Sequence, residues 1–120
     1  MADLNIISVS NIKGKTFGNT LLTVTTDLVT NTFGQSKLFK INNIILNNKD
    51  TTNTLTANIS FVDYSNSNTS TPIIVTLDVP SKSVIDVLSK PIYLEEGDKI
   101  TAAASANSNI GIVISYEELA

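Results

Sequence analysis

The sequence contains no histidine, no cysteine and no tryptophan, and only 16% of its 120 residues are charged. Without cysteine, the chain can form neither a disulfide framework nor a thiolate metal site. Without histidine, it lacks the side chain that most often acts as a general base and ligates transition metals. These absences predict a protein that works through its surfaces, with no enzymatic activity, no catalytic residues, no cofactor and no metal.

Charge and hydropathy exclude two further classes of partner. The formal net charge is -3, and the eight basic residues are scattered rather than clustered, whereas a nucleic-acid backbone requires grouped lysine and arginine. No run approaches the 18 apolar residues of a membrane span. The first ten residues lack the basic and apolar regions of a secretory signal. We therefore expect no nucleic-acid partner, no membrane association and no secretion.

Alternation of apolar and small polar residues runs through most of the chain, as is typical of β-strands. Residues 10–19 are predicted to be a loop with at most a brief extended piece, and residues 65–71 are a predicted polar loop. Residues 83–89 are predicted to be extended or a single helical turn. Short strands with no long helix predict one all-β domain over residues 1–120, a small antiparallel β-sandwich or jelly roll of about eight strands. The clearest predicted strands cover residues 4–9, 22–28, 37–47, 55–63, 72–79, 99–105 and 110–116.

The predicted strand over residues 37–47 has apolar residues at both odd and even positions. Phe39 and Ile41 share one parity, while Ile44 and Leu46 share the other. Such a strand is either covered on both faces or carries a bulge that switches its faces. Residues 72–79 are simpler, since Ile73, Val75, Leu77 and Val79 are all predicted to share one face.

Acidic residues concentrate in the segment Glu95-Glu96-Gly97-Asp98 and again at Glu117 and Glu118. The favoured interpretation of the first group is a tight turn in which Gly97 takes a positive φ and the carboxylates are solvated. A Ca²⁺ site and acid–base catalysis are the alternatives.

Two other sets of residues are candidates for chemistry or for a partner contact. Ser81-Lys82-Ser83 and Ser89-Lys90 could supply a serine nucleophile with a lysine base, but neighbours in a strand point to opposite faces. Phe17 and Phe33 lie beside glycines in predicted loops. An apolar ring in a loop is either tucked under or docked on a partner, so both are candidates for a partner contact.

The segment DVPSKSVIDVLSKPIYLEEGDKITAAASANSNIGIVISYEEL, from Asp78 to Leu119, resembles a family of small virion-associated proteins of tailed bacteriophages, common in phages of marine cyanobacteria. The upstream segments 21–24 and 37–48 are similar in layout. The matching residues are Val79, Pro80, Ser83, Val87, Leu88, Pro91, Ile92, Leu94, Glu95, Gly97, Asp98, Ile100, Ala104, Ser105, Ala106, Ser115, Tyr116 and Glu118.

The resemblance implies a structural protein of the bacteriophage virion, acting by assembly as a capsid decoration or as a neck or tail component. Its expected partners are other virion proteins and copies of itself in a homo-oligomer, after synthesis in the host cytoplasm. The strands at 37–47 and 99–106 are the predicted contact surfaces. The alternative is a tail-associated module that binds host surface glycan through loops 65–71 and 107–109, with Ca²⁺ near Glu95 or Asp98.

Overall fold

Nine strands form two antiparallel sheets in the computed structural model, which describes residues 9–120. One sheet has the strand order β1-β9-β3-β6, with β7 also paired to β3, and the other has the order β2-β8-β4-β5. The predicted all-β sandwich is thereby confirmed. The strands are β1 (Ile12–Thr20), β2 (Thr26–Thr30), β3 (Leu38–Asn48), β4 (Leu55–Asp63), β5 (Thr69–Val79), β6 (Val84–Asp86), β7 (Ile92–Leu94), β8 (Lys99–Ala104) and β9 (Ile110–Leu119).

Strands β6 and β7 together form one interrupted edge strand. Both pair with β3, β7 along Phe39–Ile41 and β6 along Ile45–Asn47, and the Val87 N–H donates to the Ile44 carbonyl between them. Counted as one, they leave eight strands in two four-stranded sheets. Apart from the β4–β5 hairpin, every connection then crosses from one sheet to the other, which is the connectivity of a jelly roll.

A bulge in β3 explains the mixed parity of its apolar residues. The register of β3 against β9 shifts between Ile41 and Asn43. Phe39 and Ile41 are buried before the bulge, and Ile44 and Leu46 are buried after it. One extra residue switches the inward face of a strand, so the bulge that the sequence allowed as one of two explanations is present.

Branched aliphatic side chains fill the space between the two sheets. In β9, Ile110, Ile112 and Ile114 alternate inward and are fully buried, and they pack against a core that includes Ile44, Ile59 and Ile100. β-branched residues suit such a pleated, covered surface. The strand predicted over residues 110–116 continues to Leu119.

Two predictions near the N-terminus have different outcomes. The loop predicted over residues 10–19 is wrong, because Ile12–Thr20 is a regular strand paired with β9 along its whole length. Only Phe17 and Thr20 in it are even half-buried, so an edge strand with mostly exposed side chains shows no clear alternation. The strand predicted over residues 4–9 falls on residues outside the described part, apart from Val9, which is not in a strand.

Bulges and turns account for the other corrections. The strand predicted from Leu22 begins only at Thr26, and Val24 is 70% exposed. Val75 is exposed, since β5 shifts register against β4 in two places and Thr76 has a φ of 49°. The loop predicted over residues 65–71 is a 3₁₀ turn, Tyr64–Asn66, followed by the start of β5. No helix within residues 9–120 is long and apolar enough to cross a bilayer.

Candidate assembly surfaces

Three connections meet at one end of the sandwich, here called the acidic-turn end. They are the β2–β3 connection (31–37), the 3₁₀ turn after β4 and the turn over residues 95–98. The Asp98 carboxylate joins two of them, because Oδ1 accepts from the Tyr64 N–H at 2.9 Å and Oδ2 accepts from the Glu95 N–H at 2.9 Å. Asp98 therefore closes its own turn and fixes the neighbouring one.

Glu96 and Asn31 complete the network at this end. Oε1 of Glu96 accepts from the Ser36 N–H at 2.6 Å. The Asn31 amide donates to the carbonyls of Leu94, at 2.9 Å, and Lys37, at 2.8 Å. Buried backbone groups need partners, and these side chains supply them where the strands stop.

The interpretation of the acidic turn as a set of solvated carboxylates is wrong for two of its three members. Gly97 has the predicted positive φ, at 88°, and Glu95 is exposed, but Glu96 and Asp98 are only 5% and 2% exposed. Within residues 9–120, no three acidic, histidine or cysteine side chains are grouped so that they could hold a metal. Both oxygens of Asp98 face backbone N–H donors, an arrangement that holds loops together.

Several residues that carry the resemblance in the segment from Asp78 to Leu119 occupy packing positions in the fold. Leu94 and Ile100 flank the Gly97 turn and are fully buried. Tyr116 packs against Phe39 with their ring centroids 5.3 Å apart. These residues are therefore needed for the packing of β7, β8 and β9, and their role in the fold accounts for their spacing in the sequence.

The two phenylalanines proposed for partner contact have different surroundings. Phe17 lies in β1 and is half-buried against the core, so its prediction as a loop residue is wrong. Phe33 does lie in a turn, is 47% exposed, and packs on Tyr64 with their ring centroids 4.9 Å apart. Phe33 and Tyr64 form a small exposed aromatic pair at the acidic-turn end.

Glu118 is the centre of an ion-pair cluster near the end of β9. Its Oε2 lies 3.0 Å from the Lys15 Nζ, and its Oε1 lies 3.3 Å from the Lys37 Nζ. Burial tends to raise the pKa of Glu118, but the hydrogen bonds from Lys15 and Lys37 outweigh it, and the pKa is lowered overall. The same hydrogen bond raises the pKa of Lys15. The cluster thus ties the edge strand β1 and the β2–β3 connection to β9.

We expect Glu118→Gln to lower the free energy of unfolding by about 1 kcal/mol at neutral pH. This is the contribution of a charged hydrogen bond, reduced because both lysines are partly exposed to solvent. Because the folded-state pKa is depressed, this contribution is present above the unfolded pKa of about 4.3 and is lost as the pH falls through the lower folded value. Urea unfolding between neutral and acidic pH should therefore show the difference from wild type shrinking with acid.

Glu117→Gln is the matched control. Glu117 is the preceding residue, and its ion pair with Lys40 is weaker, because the two charged groups are 3.9 Å apart and both side chains are partly exposed. It should change stability by less than about 0.5 kcal/mol. Equal effects of the two substitutions would show that the Glu118 cluster has no special role.

Asp50 illustrates a second way in which this chain uses carboxylates. In the β3–β4 turn, its Oδ1 accepts from the N–H groups of Thr52 and Asn53, both at 2.9 Å. These backbone hydrogen bonds lower the pKa of Asp50 to about 2. The group is an Asx-type turn stabiliser.

The Ser-Lys pairs at 81–83 and 89–90 lie in turns and bends. The sequence argument against them, which treated them as neighbours in a strand, therefore does not apply. The Ser83 hydroxyl donates to the Pro80 carbonyl at 2.6 Å. Lys82 has a φ of 58°, and its N–H donates to the Asp50 carbonyl. These groups also serve turn geometry.

The strands proposed as contact surfaces are largely interior. β3 lies between β9 and the β6–β7 edge, and β8 lies between β2 and β4. Ala102 and Ala104 are buried in the core, so the small residues of β8 fit close sheet packing. Large exposed apolar residues lie in other elements, and two of them, Val84 and Tyr93, belong to the β6–β7 edge. A shallow groove of about 260 Å³ opens nearby, lined by Phe61, Thr71, Pro72, Ile73, Ile92 and Tyr93.

The two loops proposed for glycan binding lie at opposite ends of the sandwich. Residues 65–71 follow Asp63, near the pairing of Val62 with Lys99 at the acidic-turn end. Residues 107–109 follow β8, whose last residue, Ala104, pairs with Ala57 near the other end of the same strands. A single glycan site built from both loops is therefore excluded by the topology.

No sequence-defined protein family matches this chain, and no curated protein matches it. Among solved structures, it is similar to a chain from Bacillus endospore appendages, described as disulfide-linked pili, with a TM-score of 0.53, 13% identity, and coverage of 91% of this chain and 86% of that one. It is also similar to a chain of the T13 viral particle of infectious bursal disease virus, with a TM-score of 0.52, 9% identity and 93% of this chain covered.

These likenesses establish the fold. The present chain spans about a third of the viral chain, 32% of its length, so the likeness concerns one part of that protein. The pilus chain is matched over most of its length. One neighbour is a component of pili and the other of a virus particle.

Proposed function

We propose that this chain is a structural component of a tailed-bacteriophage particle, on the capsid, neck or tail, and that it acts by assembly with copies of itself and with other virion proteins. It carries out no reaction of its own. The observation that carries the proposal is the jelly-roll fold, shared with a pilus component and a virus-particle component, in a chain that uses its buried carboxylates to hold connections together.

Three further observations support an assembly role. The segment from Asp78 to Leu119 resembles small virion-associated phage proteins. The ionisable side chains that look most like a site, Asp98, Glu96 and Glu118, are engaged by backbone N–H groups or lysines. Because the chain has no cysteine, contacts between its copies would form without disulfide links, unlike those of the disulfide-linked pili that it resembles in fold.

A glycan-recognition role would need one of the two separated loops to act alone. Neither the loop over residues 65–71 nor that over 107–109 presents an exposed aromatic platform of its own, although Phe33 and Tyr64 lie beside the first. We therefore favour assembly over recognition.

Quantitative mass spectrometry of purified particles from the phage that encodes this chain tests the proposal. The protein should co-purify at a fixed copy number. Copies on the order of hundreds would assign it to the capsid, and about six or twelve would assign it to a ring in the neck or tail, because virion parts follow closed symmetries. A protein that is abundant in the lysate but absent from the particles would contradict the proposal.

A further inference from the structure

Within residues 9–120, strand β1 presents a row of backbone hydrogen-bonding groups that no other strand pairs with. Asn11 and Ala120 exchange both of their N–H···O=C bonds, each 2.9 Å long, and β1 then pairs with β9 without any register shift. Because hydrogen-bonded and non-hydrogen-bonded pairs alternate in antiparallel ladders, the odd-numbered residues of β1 face β9. The N–H and C=O groups of its even-numbered residues point away from the sheet.

No strand in the described part of the chain covers this edge. The outward backbone groups belong to Ile12, Gly14, Thr16, Gly18 and Thr20. The N–H of Thr20 donates to the Asn19 side chain at 2.8 Å, which closes the far end of the row. An exposed edge of this length is a template for pairing with another chain.

The other edges of the two sheets are poor templates. β5 contains Pro72 and two register shifts. β2 has five residues and one shift, and β6 and β7 have three residues each. Short and bulged edges resist strand addition. Among the described strands, β1 is therefore the edge that is long and regular.

We propose that two copies of this chain pair β1 against β1, antiparallel, about a two-fold axis at Thr16. This inference rests on the proposed assembly function and names one of its contacts. The occupant of the edge is a second copy, because two β1 strands centred on Thr16 pair along all nine residues of Ile12–Thr20, with no register shift in β1 to interrupt the ladder. Such a contact is isologous, since it uses the same surface of each copy. The two β1-containing sheets become one continuous sheet.

Charge selects the register of this pairing. Centring on Thr16 places Lys15 opposite Phe17 of the second copy and Lys13 opposite Asn19. Centring on Lys15 instead would place two Lys15 side chains directly opposite each other, which is unfavourable. Lysine on an edge usually disfavours pairing, but the Lys15 Nζ is held 3.0 Å from the Glu118 carboxylate of its own sheet, and the Thr16 register places no lysine directly opposite another lysine. Any other register also shortens the ladder.

The absence of cysteine makes a cross-linking test specific. Thr16→Cys should form a disulfide-linked dimer under mild oxidation, because paired Cα atoms lie about 5.5 Å apart, within the range that a disulfide spans. Ile12→Cys is the matched control on the same strand face. Its own copy would lie about 27 Å away, eight residues along the strand, so it should not cross-link alone, whereas a mixture with Thr20→Cys should.

Blocking the edge tests the same contact without cysteine. Thr16→Pro removes an N–H that points away from β9, so no hydrogen bond within the sheet is lost. Thr16→Val keeps that N–H and is the control. In sedimentation equilibrium, Thr16→Pro should raise the dimer dissociation constant at least about tenfold, roughly the loss of one good contact, while Thr16→Val should leave it near the wild-type value.

The outcomes separate this inference from the assembly function on which it rests. A wild-type protein that is monomeric, or a Thr16→Cys variant that fails to cross-link while the chain is present in purified particles, would overturn the β1 contact and leave the virion role standing. Absence of the chain from particles would overturn the virion role itself. Cross-linking of Thr16→Cys together with loss of the dimer in Thr16→Pro would establish the contact.

Discussion

Gly97→Ala is expected to lower the free energy of unfolding by about 3 kcal/mol, adding the strain of a positive φ to that of overpacking. The backbone φ is 88°, and a methyl group at this position would lie 2.7 Å from the Tyr64 Cβ. The clash involves the first atoms of the Tyr64 side chain, which cannot rotate away. The Tyr64 backbone N–H also donates to Asp98, so the turn that carries Tyr64 cannot shift easily. Urea unfolding followed by far-ultraviolet circular dichroism measures the effect.

Gly34→Ala is the matched control for this prediction. Gly34 also has a positive φ, at 95°, but a Cβ there would meet nothing within 4 Å. It should therefore show the backbone strain alone, about 1 kcal/mol. Equal losses for the two variants would mean that Tyr64 does not pack tightly enough on the Gly97 turn to oppose an added methyl group.

Ile44→Ala is expected to cost about 3 to 4 kcal/mol, as is usual when a fully buried isoleucine leaves a cavity. Ile44 follows the β3 bulge and is 0% exposed. Its neighbour Ile45 points to the outer face and is only half-buried, so Ile45→Ala should cost about 1 kcal/mol. Chemical denaturation of both variants measures the contrast. A larger loss of stability for Ile45→Ala than for Ile44→Ala would show that the bulge, and therefore the inward face of β3, is assigned wrongly.

The strands that were predicted well are those with one covered face. In β4, inward residues such as Ile59 alternate with polar ones, and in β9 Ile110, Ile112 and Ile114 share the inward parity. Burial of that face is what fixes the structure. Even the bulge of β3 left a signature, because its apolar residues change parity around Asn42. The sequence pattern of these strands reports directly on the energy that stabilises them.

The strands that were missed or misplaced are edges. β1 is held by backbone pairing with β9 and by the Lys15–Glu118 ion pair, and its glycines and lysines read as a loop. In β5, the exposure of Val75 follows from bulges that depend on its pairing with β4. Backbone hydrogen bonding between distant segments leaves no periodic trace in a single sequence, so such strands escape pattern analysis.

The burial of Glu96 and Asp98 was also beyond sequence reasoning. Two of their hydrogen-bond donors are the backbone N–H groups of Ser36 and Tyr64, in other connections of the chain. The available signal was the motif itself, in which an acidic residue directly follows the Gly97 turn. That spacing predicted the turn correctly, but only the topology shows that three connections converge on it.

Sedimentation velocity of the purified chain over about 1 to 100 μM, with and without purified phage particles, tests most directly whether this protein works by assembly. We predict discrete species that contain two or more 12.9 kDa chains, together with co-sedimentation of the protein with the particles. A single 12.9 kDa species at every concentration that never sediments with the particles would contradict an assembly role.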